Sequence, residues 1–440
     1  MENAGGKVGE KLDLQLPSSK AEIANIQSAQ KKVALTQAKK AKYYQGKLDH
    51  INPEKLDDPA EWAKIPIIDK EVLRDLGVEN FRELFCIAEQ KDIAEYWRSG
   101  GATGVPLYYP RTYEDMYYTY IQLCRCWTVA GLNEDDICHQ SFPYGVHPAG
   151  QLWSRTANQV GIGVLWAGSG ANTPSRTQLE LIDDLQPTIW MGMPSYGLHL
   201  ANLAEEMDID LAGGKVRKVI VGAEALSAAK REKLERSWGA EVNDFFGMTE
   251  IGILGADSEV HEGFHIWTDQ ALFEVVDENT GLPVPEGEEG LMVITPLFCN
   301  TSTPFLRWSS GDIVRISNET SLEGPFSIFP VMKHANRTVG FAKIRGININ
   351  HTEFEDFMFR LPEINDFKVE FTATDGLDDL VVFIEVDRKS DADQAAVALA
   401  ESIRDLFEVR PVIEVLETGT LAKEFEASVK APRFVDKRNQ

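Results

Sequence analysis

The sequence predicts an α/β protein, with a large N-terminal domain of helix-covered sheets that ends in a β-rich subdomain and a small mobile α/β domain at the C-terminus. Two observations predict this class. The chain has 440 residues, which is more than one hydrophobic core usually serves, so two domains are expected. From about residue 90 to 335, short apolar runs alternate with helical patterns, which is typical of sheets covered by helices.

The elements of the large domain follow from this alternation. Turn residues over 277–281 and 285–287 separate further strands and indicate the β-rich subdomain. The predicted strands of the large domain are 162–166, 188–191, 218–221 and 272–276, and its predicted helices are 176–185, 195–207 and 227–238.

The small domain is expected to begin at residue 342. Its predicted elements are strands at 367–371, 380–386 and 412–416 and a helix over 391–407. The predicted organisation is an N-terminal domain over 1–338, whose first 90 residues are a mainly helical lead-in, a hinge at 339–341 and the C-terminal domain over 342–440. Gly340 can absorb the backbone rotation that a hinge requires.

Composition narrows the class of partners and the compartment. The net charge of −25 disfavours nucleic acid and anionic membranes as partners. Apolar runs such as 380–384 fall far short of the roughly 18 residues that a membrane span needs. The N-terminal residues lack the apolar segment of a signal peptide. Five cysteines in so long a chain do not form a disulfide framework, so a cytoplasmic location is expected.

One stretch of the chain is basic. Residues 23–48 contain lysines and no acid, and the apolar residues among them indicate helices. Two interpretations stay open: a solvated helical face, or contact with an acidic surface that belongs either to the protein itself or to a second subunit.

A glycine-rich loop occupies residues 99–106. Its hydroxyl-bearing residues, Ser99 and Thr103, stand on a backbone that glycine bends freely. Such a loop can turn several N–H groups toward a polyphosphate, although an ordinary glycine-rich turn is the alternative. A Walker loop is excluded because no Gly-Lys-Ser/Thr follows. A dinucleotide-binding turn is disfavoured because Pro106 blocks a helix at that point.

Further motifs follow the loop in a fixed order. They are Ile-Val-Gly-Ala-Glu-Ala-Leu at 220–226, Asp-Phe-Phe-Gly-Met-Thr-Glu at 244–250, Arg-Trp-Ser-Ser-Gly-Asp at 307–312, Arg-Thr at 337–338, Arg-Gly-Ile-Asn at 345–348 and Lys-Ala-Pro-Arg at 430–433. This order resembles the adenylate-forming ligases, the superfamily of acyl-CoA synthetases. The blocks Gly-Met-Pro-Ser at 192–195 and His-Ile-Trp at 265–267 resemble its phenylacetate–CoA ligase branch.

The resemblance implies an ATP-dependent acid–thiol ligase that is AMP-forming. Such an enzyme activates a carboxylic acid as an acyl-adenylate and transfers the acyl group to coenzyme A. The implied cofactors are ATP and Mg²⁺, with coenzyme A as co-substrate. The implied partners are a small-molecule carboxylic acid and, as a further expectation, a second copy of the chain in a homodimer.

The resemblance also assigns roles to residues. The catalytic residues would be Lys430, Thr249 and Glu250: Lys430 for adenylation, Thr249 on the α-phosphate, and Glu250 as the Mg²⁺ ligand. Asp312 would accept hydrogen bonds from the ribose hydroxyls and Arg337 would support the ribose or phosphate. The nucleotide-binding residues would be Ser99, Gly100, Gly101, Thr103, Gly104, Gly222, Ala223, Glu224, Asp244, Phe245, Phe246, Gly247, Met248, Asp312, Arg337 and Arg345.

The pocket for the acid is assigned in the same way, and Trp153 and Trp166 add flat apolar surface that suits an aromatic acid. His147 indicates either a polar substituent on that acid or a hydrogen bond within the protein's own loop. The implied pocket residues are Tyr144, Gly145, His147, Trp166, Gly168, Ser169, Gly170, Met193 and Pro194.

Structural alternatives stay open for several residues. Asp312 alternatively caps a turn in Ser-Gly-Asp, and Glu250 alternatively caps a helical stretch after it. Phe245 and Phe246 are alternatively core strand residues. Glu224 is alternatively a helix-entry residue, and Arg345 alternatively forms a surface ion pair. Lys423 competes with Lys430 for the role of the catalytic lysine.

The sequence departs from the family pattern at three points. Residues 255–261, Gly-Ala-Asp-Ser-Glu-Val-His, lack the cysteines that some relatives carry after the Gly-Met-Thr-Glu motif. Ala102 stands where a second threonine is common, and Val339-Gly340 replaces an acidic pair at the hinge. Three other functions remain alternatives. One is acyl transfer to a carrier protein or an amine. The others are a catalytically silent nucleotide-binding protein, which the altered hinge suggests, and a nicotinamide oxidoreductase built on Gly-Ala-Thr-Gly at 101–104.

Overall fold

The computed structural model describes residues 11–98, 107–337, 341–344, 347–374, 377–421, 423 and 433–438. Within these residues, no helix combines the length and the apolar character needed to cross a membrane. The α-helices are α1 (Lys20–Ala38), α2 (Pro59–Trp62), α3 (Lys70–Phe85), α4 (Tyr113–Val129), α5 (Pro148–Gln159), α6 (Ser175–Leu185), α7 (Pro194–Glu206), α8 (Ala228–Trp238), α9 (His351–Phe359) and α10 (Ala392–Phe407).

The strands of the N-terminal part are β1 (Ile93–Arg98), β2 (Tyr108–Thr112), β3 (Ile137–Gln140), β4 (Gly163–Trp166), β5 (Ile189–Gly192), β6 (Lys218–Gly222), β7 (Glu241–Met248), β8 (Gly252–Asp257), β9 (Phe264–Ile266), β10 (Ala271–Val276), β11 (Gly290–Pro296), β12 (Asp312–Ser317) and β13 (Val331–Arg337). The remaining strands are β14 (Phe341–Ile344), β15 (Ile347–Asn350), β16 (Ile364–Thr374), β17 (Leu377–Val386), β18 (Pro411–Leu416) and β19 (Phe434–Asp436).

The chain divides into two compact units. The first unit contains residues 1–136, 144–164 and 243–338, and the second contains 137–143, 165–242 and 339–440. The change of unit between residues 338 and 339 coincides with the start of the predicted hinge. The domain boundaries given from the sequence remain predictions. The predicted fold class is confirmed: sheets dominate the N-terminal part, and helices and strands alternate as the sequence indicated.

The first unit is built on antiparallel strands in the order β10-β11-β12-β13-β9-β8-β7. A separate antiparallel hairpin, β1–β2, leads directly into α4. Thr112 caps that helix in a capping box with Asp115, an arrangement that stabilises a helix start by about 1 kcal/mol. The end of β2 is therefore fixed against the helix.

Lysines of the basic stretch pair with acids of the same unit. Lys32 lies 3.1 Å from Glu54, and Lys42 lies 2.9 Å from Glu83. These pairs agree with the interpretation that the stretch contacts the protein's own acidic surface. Because both pairs are exposed to solvent, each contributes little to stability.

The second unit combines a parallel sheet with the small C-terminal sheet. Strands β6, β5 and β3 are parallel neighbours, and helices α6, α7 and α8 follow β4, β5 and β6 along the chain. The C-terminal sheet has the order β18-β17-β16-β19. All of the strands and helices predicted from sequence for these segments are present, with ends within one to three residues of the predicted ones.

Helix α8 contacts the C-terminal part of this unit through charged groups. The ammonium of Lys233 donates to the carbonyl oxygens of Ile364 at 2.8 Å and Asn365 at 2.9 Å. Burial lowers the pKa of Lys233 to about 8. Lys230, also buried, forms an ion pair with Glu355 of α9. These contacts attach the start of β16 and helix α9 to α8.

Candidate active site

The carboxyl ends of β3, β5 and β6 meet at one edge of the parallel sheet of the second unit. In open α/β sheets, ligands bind in the crevice at this edge. Several predicted site residues follow these strand ends directly: Met193 and Pro194 after β5, and Ala223 and Glu224 after β6, whose last residue is Gly222. The topology therefore brings part of the predicted nucleotide site and part of the predicted acid pocket to the same edge.

Glu224 joins two of these strand ends. Its carboxylate accepts hydrogen bonds from the Ser195 amide at 3.1 Å and from the Ser195 hydroxyl at 2.7 Å. Ser195 lies in the first turn of α7, where amide groups lack partners within the helix and favour a negative charge. The alternative that Glu224 begins a helix is wrong, because its carboxylate caps α7 while α8 begins at Ala228.

The backbone at Ala223 is unusual. Its φ of 67° lies in the left-handed region that side chains other than glycine rarely adopt. Such a conformation costs of order 1 kcal/mol or more and persists only where the surroundings impose it. The hydrogen bonds of the neighbouring Glu224 are part of those surroundings, so the turn after β6 is held in an uncommon shape.

A second predicted segment of the acid pocket, Gly168 to Gly170, forms a turn in the same unit. The Gly168 amide donates to the Gln140 carbonyl, the last residue of β3, at 2.9 Å. Gly168 has a φ of 75°, in the region that favours glycine. Within the turn, the Ser169 amide and hydroxyl both donate to Asn172 Oδ1 at 3.2 Å. Trp166, at the end of β4, is 50% exposed beside this turn.

The Thr249–Glu250 turn lies in the first unit, between β7 and β8. Arg111, the buried penultimate residue of β2, donates from Nη2 to the carbonyl oxygen of Thr249 at 2.7 Å and of Glu250 at 2.8 Å. Its guanidinium also lies 4.5 Å from the ring centre of Trp97, within cation–π range. Arg111 therefore holds the turn that carries two of the predicted catalytic residues.

Arg111 and Trp97 were not identified from the sequence. The acceptors of Arg111 are main-chain oxygens, which have no sequence signature, and they lie more than a hundred residues along the chain. The sequence signal for Arg111 was weak: it is a basic residue that follows the glycine-rich loop closely and has no acidic residue next to it in the chain.

The segment after Glu250 is a strand and not a helix. The interpretation of Glu250 as a cap for a following helix is therefore wrong, because β8 begins at Gly252 and pairs with both β7 and β9. The close approach of the two strands also explains Gly247, where an added Cβ would lie 2.8 Å from the Gly252 carbonyl oxygen. The negative charge of Glu250 adds to burial in raising the pKa of the Tyr109 phenol.

Asp312 and Arg337 lie opposite each other across the β12–β13 pair. Asp312 is buried and its carboxylate accepts a hydrogen bond from the Ser310 hydroxyl. The position of Arg337 is that of its backbone, since its side chain is outside the described part of the structure. The segment that precedes Asp312 also contacts the residue before the Thr249–Glu250 turn, because Trp308 Nε1 donates to the Met248 sulfur at 3.3 Å.

The phenylalanines of β7 pack on opposite faces of the strand. Phe245 lies against Trp127 and Trp153, with ring centres 5.9 and 5.0 Å away. Phe246 lies against Phe264 and His334. Both are buried, and this packing favours the alternative that they are core strand residues. Asp244 precedes them in the same strand.

Tyr144, Gly145 and His147 belong to the first unit. The Arg98 amide, at the end of β1, donates to the Val146 carbonyl at 3.0 Å. This contact places the segment beside the point where the glycine-rich loop begins. His147 immediately precedes α5. The other predicted residues lie outside the described part of the chain: Ser99, Gly100, Gly101, Thr103, Gly104, Arg345 and Lys430.

Comparisons with known proteins agree with this arrangement. The profile of the AMP-binding enzyme family matches residues 15–296, and that of the AMP-binding enzyme C-terminal domain matches residues 346–438. The phenylacetate–coenzyme A ligase of Aromatoleum evansii is 27% identical over 400 residues, which cover 88% of each chain. The phenylacetate–coenzyme A ligase of Escherichia coli K12 is 25% identical over 98% of each chain.

A solved structure shares the fold. It is a 2-hydroxyisobutyryl-CoA ligase in the postadenylation state with 2-HIB-AMP, and the similarity has a TM-score of 0.83 at 20% identity. It covers 97% of this chain and 95% of that one. At this identity the similarity establishes the fold alone. From the order of its motifs, the matched profiles and these relatives, we conclude that the chain belongs to the AMP-binding enzyme family, in the branch that resembles the phenylacetate–CoA ligases.

Proposed function

We propose that this protein is an ATP-dependent acid–thiol ligase that activates an aromatic carboxylic acid as an acyl-adenylate and transfers the acyl group to coenzyme A. Membership of the AMP-binding enzyme family and the similarity to phenylacetate–coenzyme A ligases support the reaction class. The observation that carries the proposal is Arg111, which holds the Thr249–Glu250 turn in the unit that also pairs Asp312 with Arg337.

In the first half-reaction, an oxygen of the acid forms a bond to the α-phosphorus of ATP, and the bond to the β-phosphate oxygen breaks to release pyrophosphate. Negative charge on the phosphate oxygens must be balanced by preorganised donors. In this proposal the Thr249 hydroxyl donates to the α-phosphate, Asp312 accepts from the ribose hydroxyls, and Lys430 supplies a positive charge.

The described residues fit Mg²⁺ as a partner of ATP. Among them, no group of three or more His, Cys, Asp or Glu side chains is gathered that would hold a metal on its own. Mg²⁺ is commonly held by one or two carboxylates together with substrate phosphates, and Glu250 offers one carboxylate at the turn. When bound, Mg²⁺ would neutralise phosphate charge, and Glu250 would hold it.

The preference for an aromatic acid rests on the second unit. The half-exposed indole of Trp166 leads into the turn over 168–170, which is attached to the end of β3. Ligand pockets combine flat apolar surface with a few polar groups that fix orientation. Met193 and Pro194 follow the neighbouring strand β5. A planar acid would lie against these groups.

In the second half-reaction, the thiol sulfur of coenzyme A bonds to the acyl carbon, its proton is lost, and AMP leaves with the electron pair of the broken mixed-anhydride bond. The test of the whole proposal is acid-dependent exchange of labelled pyrophosphate into ATP over a panel of aryl and alkyl acids, followed by addition of coenzyme A. We expect exchange with aryl acids and then acyl-CoA with release of AMP.

Each alternative predicts a different result. Exchange without acyl-CoA formation would point to an acyl carrier protein or an amine as the acceptor. Binding of ATP without exchange for any acid would indicate a catalytically silent protein and contradict the proposal. Exchange restricted to alkyl acids would contradict the aromatic preference while leaving the reaction class intact.

A further inference from the structure

The side-chain amide of Gln178, in α6, is fully buried and hydrogen-bonded through both of its polar atoms. The oxygen is 2.7 Å from Ser141 Oγ and 3.1 Å from His139 Nε2, and the nitrogen is 2.9 Å from the carbonyl oxygens of Gly168 and Thr173 and 3.0 Å from the Tyr196 hydroxyl.

These partners come from three different elements of the second unit. His139 and Ser141 lie at the end of β3, Gly168 and Thr173 lie in the turn that follows β4, and Tyr196 lies in the first turn of α7. One amide therefore connects the turn over 167–173 to both a strand end and a helix start. Two of these elements, the turn after β4 and the start of α7, carry predicted acid-pocket residues of this unit.

An amide is the only neutral side-chain group of this size that serves all these partners. It offers an oxygen that accepts twice and two N–H groups, which the three acceptors around the nitrogen share. A carboxylate of the same shape would place an acceptor against two carbonyl oxygens, and an apolar side chain would leave those carbonyls without a donor. Buried polar groups without a partner are unfavourable, so the turn would move to recover its hydrogen bonds.

We propose that Gln178 is a positioning residue that sets the shape of the acid subsite by holding the turn over 167–173. Gln178 acts through the main chain of Gly168 and Thr173 rather than by contact with the acid. This inference rests on the proposed function, because it assumes that the turn over 168–170 lines the pocket for the acid.

The test compares Gln178→Glu and Gln178→Met with a matched change at another buried amide. Asn300 is also buried, and its amide bridges the Pro296 carbonyl at 3.2 Å and the Phe305 amide at 2.8 Å in the first unit. Asn300→Asp therefore controls for the general cost of disturbing a buried amide. The measurements are the KM for the acid, the KM for ATP, and kcat/KM for the best acid and its homologue that is one methylene longer.

We expect kcat/KM for the best acid to fall at least about tenfold in both Gln178 variants, because small displacements of a binding surface have large effects on rate. The KM for ATP should change less than about twofold. The ratio of the kcat/KM values for the best acid and its longer homologue should fall toward one. Asn300→Asp should leave that preference unchanged. General destabilisation of the protein would not change the kinetic parameters for the acid while leaving the KM for ATP nearly unchanged.

Equal changes in the acid and ATP parameters, or an unchanged acid preference, would overturn the inference. If the Gln178 variants do not fold, Tyr196→Phe is tested instead, because it removes one of the hydrogen-bond partners of the amide. It should likewise change the kinetic parameters for the acid and leave the KM for ATP nearly unchanged. The two proposals fail differently. A wild-type protein without acid-dependent exchange contradicts the function. An active wild type whose Gln178 variants keep the wild-type acid preference, or change the acid and ATP parameters equally, contradicts the inference alone.

Discussion

Asp312 of β12 and Arg337 of β13 are opposite each other in an antiparallel strand pair. The register of the two strands therefore brings an acidic and a basic position together at neighbouring strand ends. Asp312 is the first residue of its strand and Arg337 the last residue of the strand beside it. The predicted hinge begins two residues later. Arg337, predicted to support the ribose or phosphate, thus belongs to the strand that leads into the predicted hinge, and Asp312 lies opposite it on β12.

The first prediction tests Asp312 as the acceptor for the ribose hydroxyls. Asp312→Ala should raise the KM for ATP about tenfold or more, because a charge-assisted hydrogen bond contributes about 1.5–3 kcal/mol. Wild-type enzyme should prefer ATP to 2′,3′-dideoxy-ATP, and the variant should lose most of that preference. Exchange kinetics with both nucleotides measure this.

Asp257→Asn is the matched control, since Asp257 is another buried aspartate of the first unit and its carboxylate pairs with His261. It should retain the preference for ATP. If Asp312→Ala discriminates between the two nucleotides as strongly as wild type does, Asp312 does not contact the ribose.

Glu250→Gln tests the proposed metal ligand. The amide keeps the shape of the side chain but loses its charge, so adenylation should fall mainly through weaker Mg²⁺ binding. Raising the Mg²⁺ concentration should then recover part of the rate in the exchange assay. Glu289→Gln, which changes an exposed acid paired with Arg315, should behave as wild type. Full activity of Glu250→Gln at low Mg²⁺ would rule out the assignment.

Arg111→Met should lower the rate of acyl-adenylate formation by about 10²-fold, because the Thr249–Glu250 turn loses both donors to its main chain. Arg111→Lys should recover only part of that rate, since an ammonium is a compact charge without the planar fork of a guanidinium. Single-turnover adenylation measures this effect. The control Arg315→Met removes an exposed arginine, and a loss equal to that of Arg111→Met would contradict the role of the turn.

His139 predicts a pH dependence of stability. Burial lowers its pKa from 6.5 to about 4, so the folded protein keeps it neutral while the unfolded chain binds a proton. The contribution of His139 to folding stability is therefore complete above pH 6.5 and is lost as the pH falls from 6.5 toward 4. The slope is at most about 1.4 kcal/mol per pH unit.

Urea unfolding of wild type and His139→Gln between pH 7 and 4.5 measures this contribution, because all other titrations are shared. The difference in stability between the two proteins should shrink as the pH falls. A difference that does not depend on pH would show that His139 titrates normally.

Lys430 stays a prediction, but the structure describes residues on both sides of it. The Gly419 and Leu421 amides donate to the buried carboxylate of Glu385, and Arg433 pairs with Asp366. Lys430→Ala should lower adenylation by about 10²–10³-fold and leave transfer from a pre-made acyl-adenylate to coenzyme A nearly unchanged. Lys423→Ala is the control. A selective loss in Lys423→Ala instead would assign the role to that lysine.

The elements of this fold could be predicted because each leaves a local pattern in the sequence. The strands at 188–191 and 218–221 are short apolar runs, and the helices between them have helical spacing. The alternative of a helix after Glu250 was wrong for the same reason. An apolar run such as Ile251 to Leu254 suits either a helix or a buried strand, and only pairing with β7 and β9 decides between them.

The supporting contacts of the site could not be predicted. Arg111 binds main-chain oxygens 138 and 139 residues away, and Gln178 binds main-chain oxygens of a turn. Glu224 was assigned to the nucleotide by its motif, whereas its bond to Ser195 depends on two strands that are neighbours only in the folded sheet. Such contacts depend on topology, which no short window of sequence contains.

Arg111 holds the Thr249–Glu250 turn through carbonyl oxygens that every amino acid possesses. These two hydrogen bonds therefore remain available whichever side chains stand at positions 249 and 250. Substitutions at these positions that keep the volume of the buried Glu250 side chain would change the reactive groups while Arg111 still holds the backbone of the turn. This separation makes the turn a suitable place to redesign the enzyme.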